Sequence, residues 1–424
     1  MLLEKIRENG ARLGDRPALC AGGRALNWGA LWPEVEKRAR TLAEGTGPVF
    51  VEAARRVDTP VEFLACLRCE RPYVPLDPEA PAARRAEIRR VAEGLALPAG
   101  TAYVMFTSGS TGAPKPVPIT VGNLENFLGW AAALPGASAA GGVCVGAAPY
   151  SFDLSVADLY LSLLWGGTHV GLTGEEKGDF PALFRRLEAS GGTFLAATPS
   201  FLRLCLLDRG FHRGLLPRLE TVFSCGEELP PGTAARLLER FPGLTLLNAY
   251  GPTEATCAVC AAEITPELCG RARLPVGRRG AGAVDISVEH GEILLRGGSI
   301  SPAWGPVYAT GDRGYWEDGE LYCAGRLDDQ IKYKGYRIEP GEIERALEAL
   351  PGVERAAVLP RRDRAGRVLG LRAFYEGAAE PAQLSAALAG RLPGYMVPGQ
   401  WRRLARLPLN PNGKIDRNGL EGAN

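Results

Sequence analysis

The amino-acid sequence predicts an α/β fold with a large first domain and a small α+β module behind it, and three observations predict it. Apolar, β-rich runs such as YVMF (Tyr103 to Phe106), TLLNAY (Thr245 to Tyr250) and EILLRG (Glu292 to Gly297) alternate with helical patterns over the first three quarters. In GEIERALEAL the apolar residues Ile343, Ala346, Leu347 and Leu350 repeat with the period of a helix, until Pro351 and Gly352 end it. A chain of 424 residues is also longer than one core requires.

The large domain takes residues 1–327 and the small one residues 328–424, with the boundary at Asp328. From Asp329 onward the pattern shortens to a strand, the Ile343 helix, two strands (RAAVLP and LGLRAFYE) and a helix around Pro381 to Leu392. Hydrophobic residues make up 46% and charged residues 23%, which is ordinary globular composition and excludes long disorder. The 49 Lys and Arg against 48 Asp and Glu leave no polycationic footprint, so nucleic acid is not an expected partner.

The first residues, MLLEKIRENGARLGDRPALC, carry charges every few positions and no apolar core of signal-peptide length. No stretch approaches the roughly 18 apolar residues that span a bilayer, so a cytoplasmic protein without membrane insertion is expected. Ten cysteines then read as reduced thiols. The pairs Cys66/Cys69 and Cys257/Cys260 have the spacing of zinc half-sites, but the first lies in a helical pattern, which favours buried thiols.

The run TSGSTGAPK, Thr107 to Lys115, follows a strand and sets Gly109 and Gly112 among the hydroxyls of Thr107, Ser108, Ser110 and Thr111. Glycines let backbone N–H groups approach an anion, hydroxyls add donors, and Lys115 offsets charge, so the chemistry suits phosphate. It is no Walker A loop, because Pro114 precedes the lysine. Taken alone, such a run is also what an ordinary Gly/Ser surface loop looks like.

Its company is PYSFDLSVADLY (Pro149 to Tyr160), FSCGEELP (Phe223 to Pro230), NAYGPTEAT (Asn248 to Thr256), YATGDRGYW (Tyr308 to Trp316), GRLDDQIKYKGYRIEPGEIE (Gly325 to Glu344) and NPNGKIDR (Asn410 to Arg417). Together with LNWGALWPEVEKRARTLA and RPYVPLDPEAP nearer the start, these resemble, in order and spacing, the core motifs of adenylate-forming (AMP-binding) enzymes. The likeness runs to the adenylation domains of nonribosomal peptide synthetases and, more closely, to the D-alanine–carrier protein ligases.

The resemblance implies an ATP- and Mg²⁺-dependent ligase with a mobile C-terminal domain. It assigns the nucleotide to Thr107, Ser108, Gly109, Ser110, Thr111, Gly112, Lys115, Asn248, Tyr250, Gly251, Thr253, Asp312, Arg326 and Lys414. Asp312 would hold the ribose hydroxyls as a bidentate acceptor, and Asn248 and Tyr250 would frame the adenine. Glu254 would help hold Mg²⁺, a hard cation that takes oxygen ligands. Lys414, with Thr107, Glu254 and Arg326, would carry catalysis by stabilising charge at the α-phosphate. His169 and His212 are expected to be structural, since attack of a carboxylate on phosphorus needs little proton transfer. Without the family, Asp312 reads as a cap or turn acid, Glu254 as a surface acid, and Asn248 and Tyr250 as strand-end packing residues.

For the second half-reaction the resemblance makes Asp328 a hinge and places Gly335 along the path of a pantetheine thiol, where a side chain would obstruct it. An ordinary strand glycine is the plainer reading of Gly335. Asp153 matches the acid that pairs with a substrate α-ammonium, a partner that a buried ammonium requires. Cys225, Cys257 and Gly251 would line a small pocket, with Lys414 reaching the substrate carboxylate. The implied substrate is a small amino acid, D-alanine first, with L-alanine, glycine or serine open.

A separate phosphopantetheinylated carrier protein is the expected partner, because the chain ends at GLEGAN soon after NGKIDR. The alternatives are a stand-alone L-amino-acid adenylation enzyme of peptide or polyketide biosynthesis and an acyl- or aryl-CoA synthetase, the latter disfavoured by Asp153. A degenerate nucleotide-binding protein is disfavoured by the joint retention of Thr107, Glu254, Asp312 and Lys414. Departures from the family pattern are short segments between Leu26 and Tyr103 and between Pro275 and Tyr308, Cys323 where an adenine-covering aromatic is common, and Pro340 in place of a leucine.

Overall fold

A computed structural model describes residues 1–109, 112–135, 141–363, 366–410 and 415–421. Two compact units divide the chain. The first comprises 1–77, 95–105 and 117–327; the second comprises 78–94, 106–116 and 328–424.

An eight-stranded sheet dominates the first unit, and its six inner strands run parallel. In spatial order these are Thr245–Tyr250, Thr221–Ser224, Phe194–Ala197, Val143–Gly146, Thr168–Gly171 and Pro17–Ala21. Antiparallel edges, Cys260–Glu263 and Arg24–Asn27, flank them. The inner strands are apolar on both faces, with all four residues of Phe194–Ala197 and of Thr221–Ser224 buried, as a sheet covered on both sides demands. Leu154–Leu164 packs among them with ten of its residues buried. A five-stranded sheet from residues 277–326 and the parallel strand pair Val49–Glu52/Tyr73–Leu76 add to this unit's β content, and the long strand Tyr308–Glu317 alternates buried with more exposed residues.

In the second unit the expected α+β pattern appears. The hairpin Ile331–Tyr333/Tyr336–Ile338 leads into the helix Pro340–Glu348, then into strands Val353–Arg362 and Val368–Gly377, the helix Pro381–Ala389 and a third strand, Gln400–Arg403. Ile343 and Leu347 are fully buried and Leu350 nearly so, the stripe that the sequence period implies. Pro340 occupies the first turn of its helix, where its missing N–H costs no bond. Among the described residues, no helix is long and apolar enough to cross a membrane.

Candidate functional site

Ligands of open parallel sheets gather beyond the C-terminal ends of the strands. Three parallel strands of the eight-stranded sheet, two adjacent and the third beyond Phe194–Ala197, deliver the motif residues there: Val143–Gly146 runs on toward Asp153, Thr221–Ser224 is followed at once by Cys225, and Thr245–Tyr250 leads to Gly251, Thr253 and Glu254.

At the nucleotide motifs, Asp312 is 3% exposed and lies inside the strand Tyr308–Glu317, not at a helix cap. Arg326, its register partner, donates from Nη1 to Oδ1 at 2.9 Å, and the Tyr250 hydroxyl donates to Oδ2 at 2.7 Å. The same guanidinium donates to the Thr310 carbonyl at 2.8 Å, so its position is set by backbone. Burial, and then the Asp312 charge, push the Tyr250 phenol well above its usual value and keep it a donor. Each carboxylate oxygen has capacity for a second donor, so Asp312 can accept two hydroxyls while held. The Asn248 amide nitrogen donates to the Pro275 carbonyl at 2.8 Å. Where an adenine-covering aromatic is common, the half-buried Cys323 is preceded by Tyr322, which is buried and stacks on Tyr315 at 5.0 Å.

At the substrate motif, Asp153 is half-buried at the position preceding the helix Leu154–Leu164 and makes no capping bond to it. Its Oδ2 accepts from the Thr253 hydroxyl at 2.5 Å, which turns the carboxylate toward the Tyr-Gly-Pro-Thr-Glu segment. Glu254 is fully buried beside Thr253, and its carbonyl accepts from the Ser301 N–H. Cys225 and Cys257 are both buried, and the Cys225 thiol donates to the Cys257 carbonyl at 3.8 Å. Thr256 and Cys257 both adopt positive φ (59° and 72°), and a Cβ on Gly251 would lie 2.5 Å from the Ala258 Cα, so this tight turn requires glycine at 251. The neighbouring Cys225 thiol, and then burial, raise the Cys257 pKa, and burial lifts Cys66 to about 12. Both therefore keep their protons and act as packing groups.

In the second unit, Thr107 ends the strand Thr101–Thr107 with its hydroxyl buried and, among the described residues, without a hydrogen-bond partner. The Ser108 hydroxyl donates to the Arg337 carbonyl at 2.7 Å and accepts from the Glu339 N–H at 3.0 Å. The Gly109 N–H donates to Glu342 Oε2 at 3.1 Å, while Arg84 binds Glu342 Oε1 at 2.5 Å. A carboxylate thus rests on one backbone N–H of the loop. A Cβ on Gly109 would strike the Ala113 carbonyl, and Gly112 has φ +88°, so glycine is required at both positions. Lys115 begins the following strand, Lys115–Thr120. Gly335, with φ +84°, shares the two-residue hairpin turn with Lys334, and Asp328 opens the C-terminal stretch of this unit. Ser110, Thr111 and Lys414 lie outside the described residues.

Motif reading did not find two buried clusters. One is Arg84 with Glu342, and the other joins Arg55, Tyr150, Asp158 and His169. Burial of Asp158 and His169 inside strongly apolar runs was the signal available for the second. His212, by contrast, is a local turn residue, its Nδ1 accepting from the Gly214 N–H at 2.8 Å.

The AMP-binding enzyme profile matches residues 90–303. D-alanine–D-alanyl carrier protein ligase of Bacillus licheniformis is 33% identical over 497 aligned residues that cover 99% of each chain. An adenylation domain of Vibrio cholerae, AlmE, solved with glycyl-adenosine-5'-phosphate, shares the fold at a TM-score of 0.86 and 20% identity, covering 100% of this chain and 97% of its own. PA1221, an NRPS protein containing adenylation and PCP domains, aligns at a TM-score of 0.81 and 25% identity, over 99% of this chain and 83% of that one.

Proposed function

The chain belongs to the AMP-binding enzyme family, and from that premise we propose that it activates D-alanine with ATP and passes it to the phosphopantetheine thiol of a separate carrier protein. The observation that carries the amino-acid reading is Asp153: a half-buried carboxylate, oriented by Thr253, at the end of a parallel strand. An ammonium leaving water needs such a partner, and an acyl chain does not. The buried side chains of Cys225 and Cys257 supply an apolar wall suited to a methyl group. The carrier-protein ligases similar over the full length support D-alanine among the small amino acids.

In the first half-reaction the substrate carboxylate attacks the α-phosphorus of ATP, an O–P bond forms, and the bond to pyrophosphate breaks. Asp312 accepts the ribose hydroxyls while Arg326 and Tyr250 hold it, so the nucleotide is positioned before reaction. The Thr107 hydroxyl, buried without a hydrogen-bond partner among the described residues, fits a phosphate oxygen, whereas the Gly109 N–H is given to Glu342 and would have to be released to do the same. Lys414 holds the attacking carboxylate and offsets charge that grows at the α-phosphate. Buried Glu254 fits an oxygen ligand for Mg²⁺, which when bound neutralises phosphate charge.

In the second half-reaction the carrier thiol, losing its proton, attacks the aminoacyl carbonyl, and AMP leaves. Asp328 acts as the hinge for residues 328–424, and Gly335, at a turn without a side chain, gives the pantetheine arm passage. ATP and ten free cysteines fit a cytoplasmic setting.

The test is ATP–pyrophosphate exchange with D-alanine, L-alanine, glycine, D- and L-serine and acetate, followed by mass measurement of a phosphopantetheinylated D-alanyl carrier protein. D-alanine should drive exchange best and add one alanyl group to the carrier, and Lys414→Ala should abolish both. Best exchange with L-alanine or glycine would reject D-alanine, and turnover of acetate would reject amino-acid activation.

A further inference from the structure

Four residues far apart in sequence meet inside the first unit, at the C-terminal ends of two neighbouring parallel strands. Asp158 (0% exposed) comes from the helix Leu154–Leu164, His169 (1%) from the strand Thr168–Gly171, Arg55 (8%) from the stretch after Val49–Glu52, and Tyr150 (1%) from the turn that leads to Asp153. The Tyr150 hydroxyl lies 3.0 Å from His169 Nε2, and Arg55 Nη1 lies 3.3 Å from the same nitrogen. The guanidinium carbon sits 4.0 Å from the centre of the Tyr150 ring. Arg55 Nη2 faces Asp158 Oδ2 at 3.7 Å, and His169 Nδ1 faces Asp158 Oδ1 at 3.6 Å.

The sheet is built to admit this group. Gly146 and Gly171 are register partners on adjacent strands. A Cβ on Gly146 would collide with the Asp158 carboxylate, and one on Gly171 would press on Arg55 at 3.2 Å and on the Tyr150 hydroxyl at 3.4 Å. Lys177 donates to the Ala147 carbonyl at 3.1 Å and so anchors the start of the segment that carries Tyr150 and Asp153.

The donor arrangement sets the histidine. Burial, and then the Arg55 charge, hold His169 well below its usual value, so it is neutral. Two donors, Tyr150 and Arg55, face Nε2, which must therefore accept. The proton then sits on Nδ1, which faces Asp158 Oδ1 at a charge-contact distance of 3.6 Å; among the described residues neither Nδ1 nor either Asp158 oxygen has a hydrogen-bond partner. Only an ionised Asp158 both balances Arg55 and attracts that Nδ1–H.

We propose that Arg55, His169 and Asp158 form a buried brace that fixes Tyr150, and through it the turn presenting Asp153 to the substrate ammonium, making these positioning residues for amino-acid affinity. The inference rests on the reading of Asp153 as the ammonium partner. Burial pushes the Asp158 carboxyl up to about 7, against the lowering influence first of Arg55 and then of Lys177. The other titratable groups near it are Tyr150, His169, Cys144 and Cys257, all buried, and burial raises the Cys144 thiol so that it stays neutral. The brace thus holds its Arg55–Asp158 charge contact above neutrality and loses it below.

The experiment measures exchange kinetics on the full chain for Tyr150→Phe, His169→Gln, Asp158→Asn and Asp153→Ala, with thermal melting as a folding control. Tyr150→Phe removes one oxygen and should raise the amino-acid KM about fivefold to tenfold, with kcat and the ATP KM within about twofold of wild type. His169→Gln, which retains an acceptor, should stay nearer wild type than Tyr150→Phe. In the wild type the amino-acid KM should rise as pH falls through about 7, while Asp158→Asn should stay at the wild-type low-pH value throughout. An unchanged amino-acid KM in Tyr150→Phe, with exchange lost in Asp153→Ala, would overturn the brace and leave the ammonium site standing. Wild-type exchange in Asp153→Ala would overturn the ammonium site and the brace with it.

Discussion

Asp312 sits inside a strand with one oxygen on Arg326 at 2.9 Å and the other on Tyr250 at 2.7 Å, whereas Asp153 sits at a half-buried turn and takes the Thr253 hydroxyl at 2.5 Å. The first carboxylate is oriented by a strand pair, a buried phenol and, through Arg326, a backbone carbonyl. The second depends on a loop and on what lies beneath that loop. The contrast suits their proposed partners. A ribose is the same in every turnover, while an amino-acid pocket gains selectivity from an adjustable segment. It also says where each should fail: at Asp312 through its direct neighbours, and at Asp153 through residues that never touch substrate.

The largest effect is expected at Asp153. Asp153→Ala leaves an ammonium buried without its partner, a loss of about 3–5 kcal/mol, so exchange efficiency with D-alanine should fall about 100-fold to 4000-fold with the ATP KM little changed. Next comes Asp312→Ala, which removes charge-assisted bonds to the ribose worth about 1.5–3 kcal/mol and should raise the ATP KM about tenfold to 100-fold while sparing the amino-acid KM. Equal effects of either variant on both substrates would dissolve the distinction. Tyr250→Phe should raise the ATP KM about fivefold, the value of one hydrogen bond.

The smallest effect is on stability. Asp158 carries a folded-state value of about 7 against an ordinary 3.8, with burial as the leading cause. Between those values the folded chain holds a proton that the unfolded chain releases. The group's contribution is therefore fully present below about pH 4 and lost as pH rises through about 7. Tm should decline over that window, and Asp158→Asn should remove that part of the slope. A Tm profile identical in the two proteins would show that Asp158 does not titrate there.

Much of the site was readable because its motifs are local. TSGSTGAPK, NAYGPTEAT and YATGDRGYW each keep their chemistry within a few residues; the strand Thr245–Tyr250 ends on Tyr250, and Asp312 lies within Tyr308–Glu317. The helix at Ile343 was readable from its period alone, since a buried stripe writes itself into the spacing. The brace was not readable, because Arg55, Tyr150, Asp158 and His169 share no spacing and meet only through sheet order. Nor was the carboxylate of Glu342 on the Gly109 N–H, a contact between residues 233 positions apart. Sequence continuity likewise placed 78–94 and 106–116 with the large domain, whereas contacts group them with residues from Asp328 onward.

The measurement that most directly tests the account is exchange driven by D-alanine and by propionate, which is D-alanine without its amino group, in the wild type and in Asp153→Ala. The account predicts strong wild-type exchange with D-alanine, little with propionate, and a large loss in Asp153→Ala confined to D-alanine. Comparable wild-type exchange with both acids, unaffected by the substitution, would contradict it.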